Sequence, residues 1–355
     1  MGTQTTETGL IERGLRVLEE RLPPRWRAAW QKLAWAKNDV WYDGMLRITA
    51  PDGRSASLAV EAKSRIEPRD ALRIAGLAVR LEGKSLLVLS PFLSGATRER
   101  LLEAKLNWLD LTGNVRLELQ DPGLFVATEG ARRQPAGGRR PARSLKGVTA
   151  GRIVRVLLAA SPPIGVRELA QRAGIDAGYV SRILELLNEA ALVERGPRGR
   201  LDTVDRARLL RRWAADAPLD RRGEVAMFLE PRGLSTFVEA LKGIVPVRFA
   251  ITGSLAAQRW APVAPPRLAQ VYVDAPAEDA AVRLALRPAE SGGNVQLIRP
   301  RDEAVFEESR MGEGGLTYAA PVQVAADLLT SPGRGPAEGE ELLRWMLERE
   351  EPWRG

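Results

Sequence analysis

The chain contains no cysteine and no histidine. The first absence excludes disulfides, thiolate zinc sites and cysteine nucleophiles. The second excludes Ser-His-Asp triads, HNH-type nucleases and histidine metal sites. Any catalysis is left to carboxylates, lysines, hydroxyls and a hard cation held by oxygen ligands. No stretch approaches the ~18 consecutive apolar residues of a membrane span, so no membrane partner is expected. The opening MGTQTTETGL has no basic region followed by an apolar one, which argues against a secretory signal and for a cytoplasmic location. Gly2 and Thr6 fit the loose myristoylation pattern, which is read as a chance match.

What is present is an ordinary globular composition over 355 residues. At roughly 100–200 residues per domain, that length predicts two or three domains. Charge is unevenly spread. Residues 1–213 hold 37 lysines and arginines against 24 acids, and residues 214–355 hold 16 against 21. A basic front and an acidic back suggest that the front meets a polyanion. The segment GARRQPAGGRRPARSLK at 130–146 has no apolar periodicity and reads as a flexible basic linker. Its Arg139 and Arg140 are candidate phosphate contacts, or simply part of a solvated tether. A second boundary falls at 214–223, AADAPLDRRG. The expected domains are therefore 1–129, 147–213 and 214–355.

In the middle domain, residues 150–159 read as a helix with Ile153, Val154, Leu157 and Leu158 on one face. A second helix is expected over 166–173, ending at Gly174, where a left-handed residue suits a helix C-terminus. Asp176 is a plausible N-cap of a third helix, in which Val180, Ile183, Leu186 and Leu187 recur at helical spacing. Leu192 and Val193 then start a strand, ERGPRGR makes a tight basic turn, and Leu201 begins the return. RELAQRAGIDAGYVSRILELLNEAALVER resembles the winged helix-turn-helix of bacterial transcription regulators. The resemblance implies a recognition helix presenting its first turns to the major groove of double-stranded DNA. Tyr179, Ser181 and Arg182 would face DNA there, and Arg195, Arg198 and Arg200 would do so on the wing. Arg182 suits guanine and Tyr179 a phosphate. Winged helices also serve as protein-protein modules.

The first domain reads as helix, strands, helix, strand, which is a mixed α/β order. Helices are expected over 8–21, 69–81 and 95–104. Strands are expected over 45–50, 57–62 and 86–90, with short ones around Leu109, Val115 and Leu124. Asp43 opens one strand and Glu61-Ala62-Lys63 closes the next. This resembles the PD-(D/E)xK restriction-endonuclease-like superfamily, although Tyr42 stands where that pattern has proline, and Asp39 or Asp52 are alternative first acids. Glu61 and Lys63, two apart, share one strand face. The resemblance implies catalytic roles for Asp43, Glu61 and Lys63. The two carboxylates would hold Mg²⁺, which would activate water, with Lys63 stabilising charge on the phosphate.

The segments NWLDLTGNVRLEL at 107–119 and AITGSLAAQRWAPVAPPRLAQVYVD at 250–274 extend the resemblance along the chain. The whole resembles actinobacterial helix-turn-helix proteins grouped with AbiEi-type antitoxins of type IV toxin–antitoxin systems. Those antitoxins are DNA-binding repressors that oppose a nucleotidyltransferase toxin. The last domain is also similar to the nucleotidyltransferase fold, with Gly253-Ser254 at a helix start. Its strand reads Val271-Tyr272-Val273-Asp274, so Tyr272 replaces a metal-binding carboxylate and the fold is degenerate and non-catalytic. Val322, Ala325, Ala326, Leu328 and Leu329 recur at helical spacing, as in a core helix. The expected function is a DNA-binding transcriptional regulator, antitoxin-like, needing no cofactor. The alternatives are a Mg²⁺-dependent endonuclease targeted by the winged helix, and a scaffold that binds a protein partner through the last domain. A homodimer is a further expectation.

Overall fold

The computed structural model describes residues 7–31, 42–81, 85–132, 144–196 and 199–353. Gly2, Thr6, Asp39, Arg139, Arg140 and Arg198 lie outside the described residues. The chain divides into two compact units, Met1–Ala142 with Leu186–Ala191, and Arg143–Glu185 with Leu192–Gly355. Both are mixed α/β structures built on large curled sheets. Among the described residues, no helix is long and apolar enough to cross a membrane.

In the first unit the order is α1 (Glu7–Glu19), β1 (Arg27–Gln31), β2 (Gly44–Thr49), β3 (Ser55–Ala62), α2 (Asp70–Val79), β4 (Ser85–Ser90), α3 (Gly95–Glu103), β5 (Asn107–Asp110), β6 (Val115–Leu119) and β7 (Leu124–Thr128). The seven strands lie side by side in chain order. The pairs β1–β2–β3 are antiparallel, β3–β4–β5 parallel and β5–β6–β7 antiparallel. Two cores follow from the alternation of side chains along each strand. Leu58, Val60 and Ala62 of β3 join Leu87 and Leu89 of β4 with Leu10 and Leu18 of α1. Ala59, Leu86, Val88 and Trp108 face the other way, against Ile74 and Leu101. Strands covered on both faces read as nearly unbroken apolar runs, as SLLVLS does. The same alternation puts Glu61, two residues past Ala59, on the face covered by α2 and α3.

The β5–β6 turn carries Asp110, Thr112 and Asn114. The buried Asp110 carboxylate accepts from the backbone N–H of Leu93 (3.0 Å) and Thr112 (2.8 Å), and from the Asn114 amide (2.8 Å). Asn114 in turn accepts the Gly130 N–H at 2.9 Å. Gly130, expected at the head of a flexible linker, is thus packed against the first unit. A Cβ there would strike the Thr112 carbonyl and the backbone nitrogen of Asn114.

The second unit opens with α4 (Val148–Ala159), α5 (Val166–Ala173), α6 (Ala177–Glu189), β8 (Val193–Arg195), β9 (Leu201–Val204), α7 (Arg206–Asp216) and α8 (Leu219–Arg222). Gly174 ends α5 in the left-handed region (φ 64°, ψ 33°), a conformation that costs a residue with a side chain more than glycine. Asp176 accepts the Tyr179 N–H at 3.1 Å, satisfying one of the free donors at the start of α6. The β8–β9 hairpin is antiparallel, and Ile164 bonds Leu201 reciprocally (3.0 and 2.9 Å) in an isolated antiparallel bridge. At the other end of the expected linker, Leu145 is buried and its N–H donates to Asp216 at 2.9 Å, so the second unit has already begun there. The expected boundary at 214–223 runs through α7 and α8, inside this unit.

There follow β10 (Gly223–Leu229), α9 (Leu234–Leu241), β11 (Phe249–Thr252), α10 (Gly253–Ala257), β12 (Ala269–Val273), α11 (Ala277–Arg283), β13 (Arg287–Pro288), β14 (Val295–Pro300), α12 (Ala304–Glu307), β15 (Arg310–Met311), β16 (Thr317–Tyr318), α13 (Pro321–Leu328) and α14 (Gly335–Leu347). The sheet order is β13-β10-β14-β12-β11-β16-β15. Every residue of β12 and of α13 is buried.

Candidate functional site

Asp43 immediately precedes β2, and its N–H donates to the Val60 carbonyl at 2.8 Å. The antiparallel register Gly44↔Val60, carried one residue on, sets Asp43 opposite Glu61. The Asp43 carboxylate accepts the Ala62 N–H at 2.6 Å. Glu61 is 5 % exposed, and its carboxylate holds the Lys63 ammonium at 2.9 Å. The three residues are thus brought together at the end of β3. Asp52 is elsewhere, in the β2–β3 turn. Its carboxylate binds Arg54 and is held below the usual carboxylate range chiefly by the Arg54 backbone N–H and then its guanidinium. Among the described residues no group of three or more acids is placed to hold a metal ion. Asp43 and Glu61 are the oxygen donors that a Mg²⁺ would use, and in this arrangement Lys63 already neutralises one of them.

On α6 the expected DNA-facing residues share the first two turns. Arg182 is exposed, Tyr179 and Ser181 partly so. The Arg182 guanidinium lies 5.4 Å from the Tyr179 ring centroid, a cation–π contact that steadies it without consuming its donors. The wing arginines are engaged otherwise. Arg195 is only 19 % exposed in its side chain. It donates to the Gly199 carbonyl (3.2 Å) and to Glu185 of α6 (3.2 Å). Arg200 donates to Asp202 at 2.7 Å. Both are spent within the hairpin and its neighbouring helix, which a reading of composition alone does not anticipate.

A third cluster shares only Tyr272 with the residues singled out from sequence. Asp327 of α13 is wholly buried. It receives Arg222 at 2.5 Å, Thr252 Oγ1 at 2.7 Å, Gln323 Nε2 at 2.8 Å and the Tyr272 hydroxyl at 3.0 Å. Burial pushes its carboxyl up from the usual value, and Arg222, then the neutral donors, pull it back. Burial and the Asp327 charge drive the Tyr272 hydroxyl well above its ordinary range, so it stays protonated as a donor. Gln323 also bonds Arg155 of α4 at 2.5 Å. Tyr272 therefore occupies its strand as a core hydrogen-bond donor. Asp274, two residues on, is drawn off to the Arg248 N–H (2.9 Å) and guanidinium (2.8 Å). Gly253 starts α10 at φ +63°, where an added Cβ would strike Gln270; that glycine serves a close approach in the sheet. The available signal was the polar pair Gln323 and Asp327, four apart on one face of an otherwise apolar helix.

Removing Asp327 would leave the Arg222 guanidinium buried without its counter-charge. Asp327→Ala is expected to cost about 3–5 kcal/mol of stability, as for other buried pairs broken from one side. Replacing both partners, with Arg222→Met and Asp327→Leu together, should recover the part of that loss owed to the uncompensated charge, while the Thr252, Tyr272 and Gln323 donors stay unpaired. Urea denaturation followed by circular dichroism measures both; a double variant no more stable than the single one would show that the pair is not the source.

No curated protein and no solved structure matches the chain at a significant level. Residues 202–340 match the family described as transcriptional regulator, AbiEi antitoxin, type IV TA system. That span takes in β9 from its second residue, all of α7 and α8, and Arg222, Tyr272 and Asp327.

Proposed function

We propose that this chain is a DNA-binding transcriptional regulator with an antitoxin-like, repressing role. In this reading α4, α5, α6 and the β8–β9 hairpin form a winged helix-turn-helix, and α6 is the recognition helix. The observation that carries the reading is the start of α6: a glycine turn, an aspartate cap, then Tyr179, Ser181 and an exposed Arg182 that no carboxylate holds among the described residues. A helix entering the major groove by its first turns reads bases with such residues. The family matched by residues 202–340 supports the same class of function. The sheet from β10 to β16 is then a degenerate nucleotidyltransferase-like body available to a toxin or other protein partner, or to a second copy of the chain. A DNA-binding regulator of this kind belongs in the cytoplasm and needs no cofactor.

Arg182→Ala should weaken binding to the specific operator by about 1–3 kcal/mol and leave affinity for random duplex nearly unchanged. The operator is first selected from genomic fragments, and both affinities are read by fluorescence anisotropy. Equal losses on the two DNAs would refute base readout by Arg182.

The wing makes a separate prediction. Because Asp202 competes with phosphate for Arg200, Asp202→Ala should tighten binding on every DNA sequence, whereas Arg200→Ala should lower the salt-dependence slope by about one. A slope unmoved by Arg200→Ala would place the wing away from DNA.

A second reading rests on the first unit. Asp43 at the head of β2 and Glu61 with Lys63 at the end of β3 support a restriction-endonuclease-like domain, with Mg²⁺ as its cofactor if active. The Glu61–Lys63 pair, with no third acid beside it among the described residues, favours a weak or silent site. Plasmid incubated with the protein and Mg²⁺ or Mn²⁺ should stay intact. Robust nicking that disappears in Glu61→Ala would make the chain a nuclease and put this reading ahead of the regulator.

A further inference from the structure

Within the second unit, α4 and α7 and the end of α8 stand over one end of the sheet and enclose a cavity of about 300 Å³. That volume lies at the small end of the range of small-molecule sites. Its interior is apolar. Gly151, Trp213 and Val305 line it, together with the ring of Tyr272. Its rim is basic. Lys146, Arg221 and Arg301 all line the cavity, all are exposed, and none has an ion-pair partner among the described residues. The other charged groups at the cavity already have ion-pair partners, although the buried Arg155 Nε and Asp302 Oδ2 make no hydrogen bond among the described residues. Arg155 bonds Gln323 at 2.5 Å and Arg222 bonds Asp327 at 2.5 Å. The carboxylate in the lining, Asp302, is held by Arg152 at 2.8 Å and by Arg155 at 3.5 Å.

Gly151 adds an independent sign that the space is kept open. It sits inside α4, where glycine is less favourable than alanine. A Cβ at this position would meet Trp213 at 3.6 Å and Arg155 at 3.7 Å, ordinary contact distances, so packing does not demand a glycine. A side chain there would project into the cavity.

We propose that this cavity binds a small organic acid, with the apolar body enclosed against Trp213 and Val305 and the carboxylate at the Lys146–Arg221–Arg301 rim. Three such cations around an apolar chamber complement an amphipathic anion and disfavour a neutral or cationic guest. Occupancy should also reach DNA. The chamber wall includes α4, and Arg152 and Arg155 of α4 are tied to Asp302 and Gln323 beneath it. A ligand that parts or draws together these elements shifts α4, the first helix of the proposed DNA-binding module. That second step rests on the regulator reading; the binding site itself does not.

The probe is 8-anilino-1-naphthalenesulfonate, an apolar ring system with one anionic group, titrated into the full chain. One saturable site with a blue-shifted emission is expected, displaced by decanoate and not by inorganic phosphate. Reversing the rim with Lys146→Glu, Arg221→Glu and Arg301→Glu together should weaken the probe at least tenfold. These side chains are exposed, so the circular dichroism spectrum should not change. Gly151→Leu should abolish binding by filling the chamber, and Gly151→Ala should weaken it less. Several equivalent sites, binding indifferent to both rim and chamber variants, or displacement by phosphate alone would overturn the proposal. Decanoate should also change operator affinity in the wild type and not in the rim variant. If decanoate binds and operator affinity stays constant, the coupling fails and the site stands. If the chain binds no DNA at all, the regulator reading fails and the probe titration still decides the site.

Discussion

The second unit is organised around one buried ion pair, Arg222 with Asp327. Arg222 ends α8, the short helix that leads from the helical module into the first strand of the sheet. Its guanidinium donates to Asp327 and to the Ala326 carbonyl on α13, and it lies 5.0 Å from the ring centroid of Trp213 on α7. One side chain therefore fastens α7, α8 and α13 at a single point. Two charges removed from water in this way are favourable only when nearly every donor and acceptor is met. Thr252, Tyr272 and Gln323 meet those of Asp327. Such a cluster tolerates few arrangements, and it fixes how α7 and α8 dock against α13 and the sheet.

The docking has a second set of contacts on the same side. Arg152 and Arg155 on α4 reach Asp302, and Arg155 also reaches Glu308 at 3.3 Å. Burial raises the Glu308 carboxyl, and Arg155 opposes that rise. Arginine suits these posts because it stays charged and offers a planar fork of donors. Arg152 and Arg155 of α4 and Arg222 of α8 bind the unit together internally, while Arg182, Arg221 and Arg301 are exposed with no ion-pair partner among the described residues.

Much of the local structure was legible where a period was strong. The strand expected at 57–62 is observed at Ser55–Ala62, and the helix expected over 166–173 has those limits. Both carry clear alternation or a clear apolar face with a glycine stop. The strand β1, RAAWQ, has no sequence expectation behind it. It lies at the sheet edge and buries no residue fully, so it leaves little hydrophobic signal. The position of Asp43 beside the end of β3, where its carboxylate takes the Ala62 N–H, follows from a short hairpin that fixes register. What could not be read was competition between partners. Nothing in ERGPRGR announces that Arg195 turns back to Gly199 and Glu185, or that Arg200 is taken by Asp202. Likewise PVQVAADLL reads as a core helix, and only the fold reveals which buried donors converge on Asp327.

The engagement of Arg195 has a mechanical consequence. By bridging the hairpin carbonyl of Gly199 and the Glu185 carboxylate of α6, it welds hairpin and helix into one stiff bracket. The reciprocal bonds between Ile164 and Leu201 brace that bracket from behind. Under the regulator reading, the span from the groove-reading turn of α6 to Arg195 and Gly199 of the hairpin is then a fixed gauge. A duplex must present its groove and neighbouring backbone at that span or deform to do so, and the cost of deformation differs between base steps. Selectivity would in this way extend to base pairs that no side chain touches, set by the rigidity of an internal arginine and not by its contact with DNA.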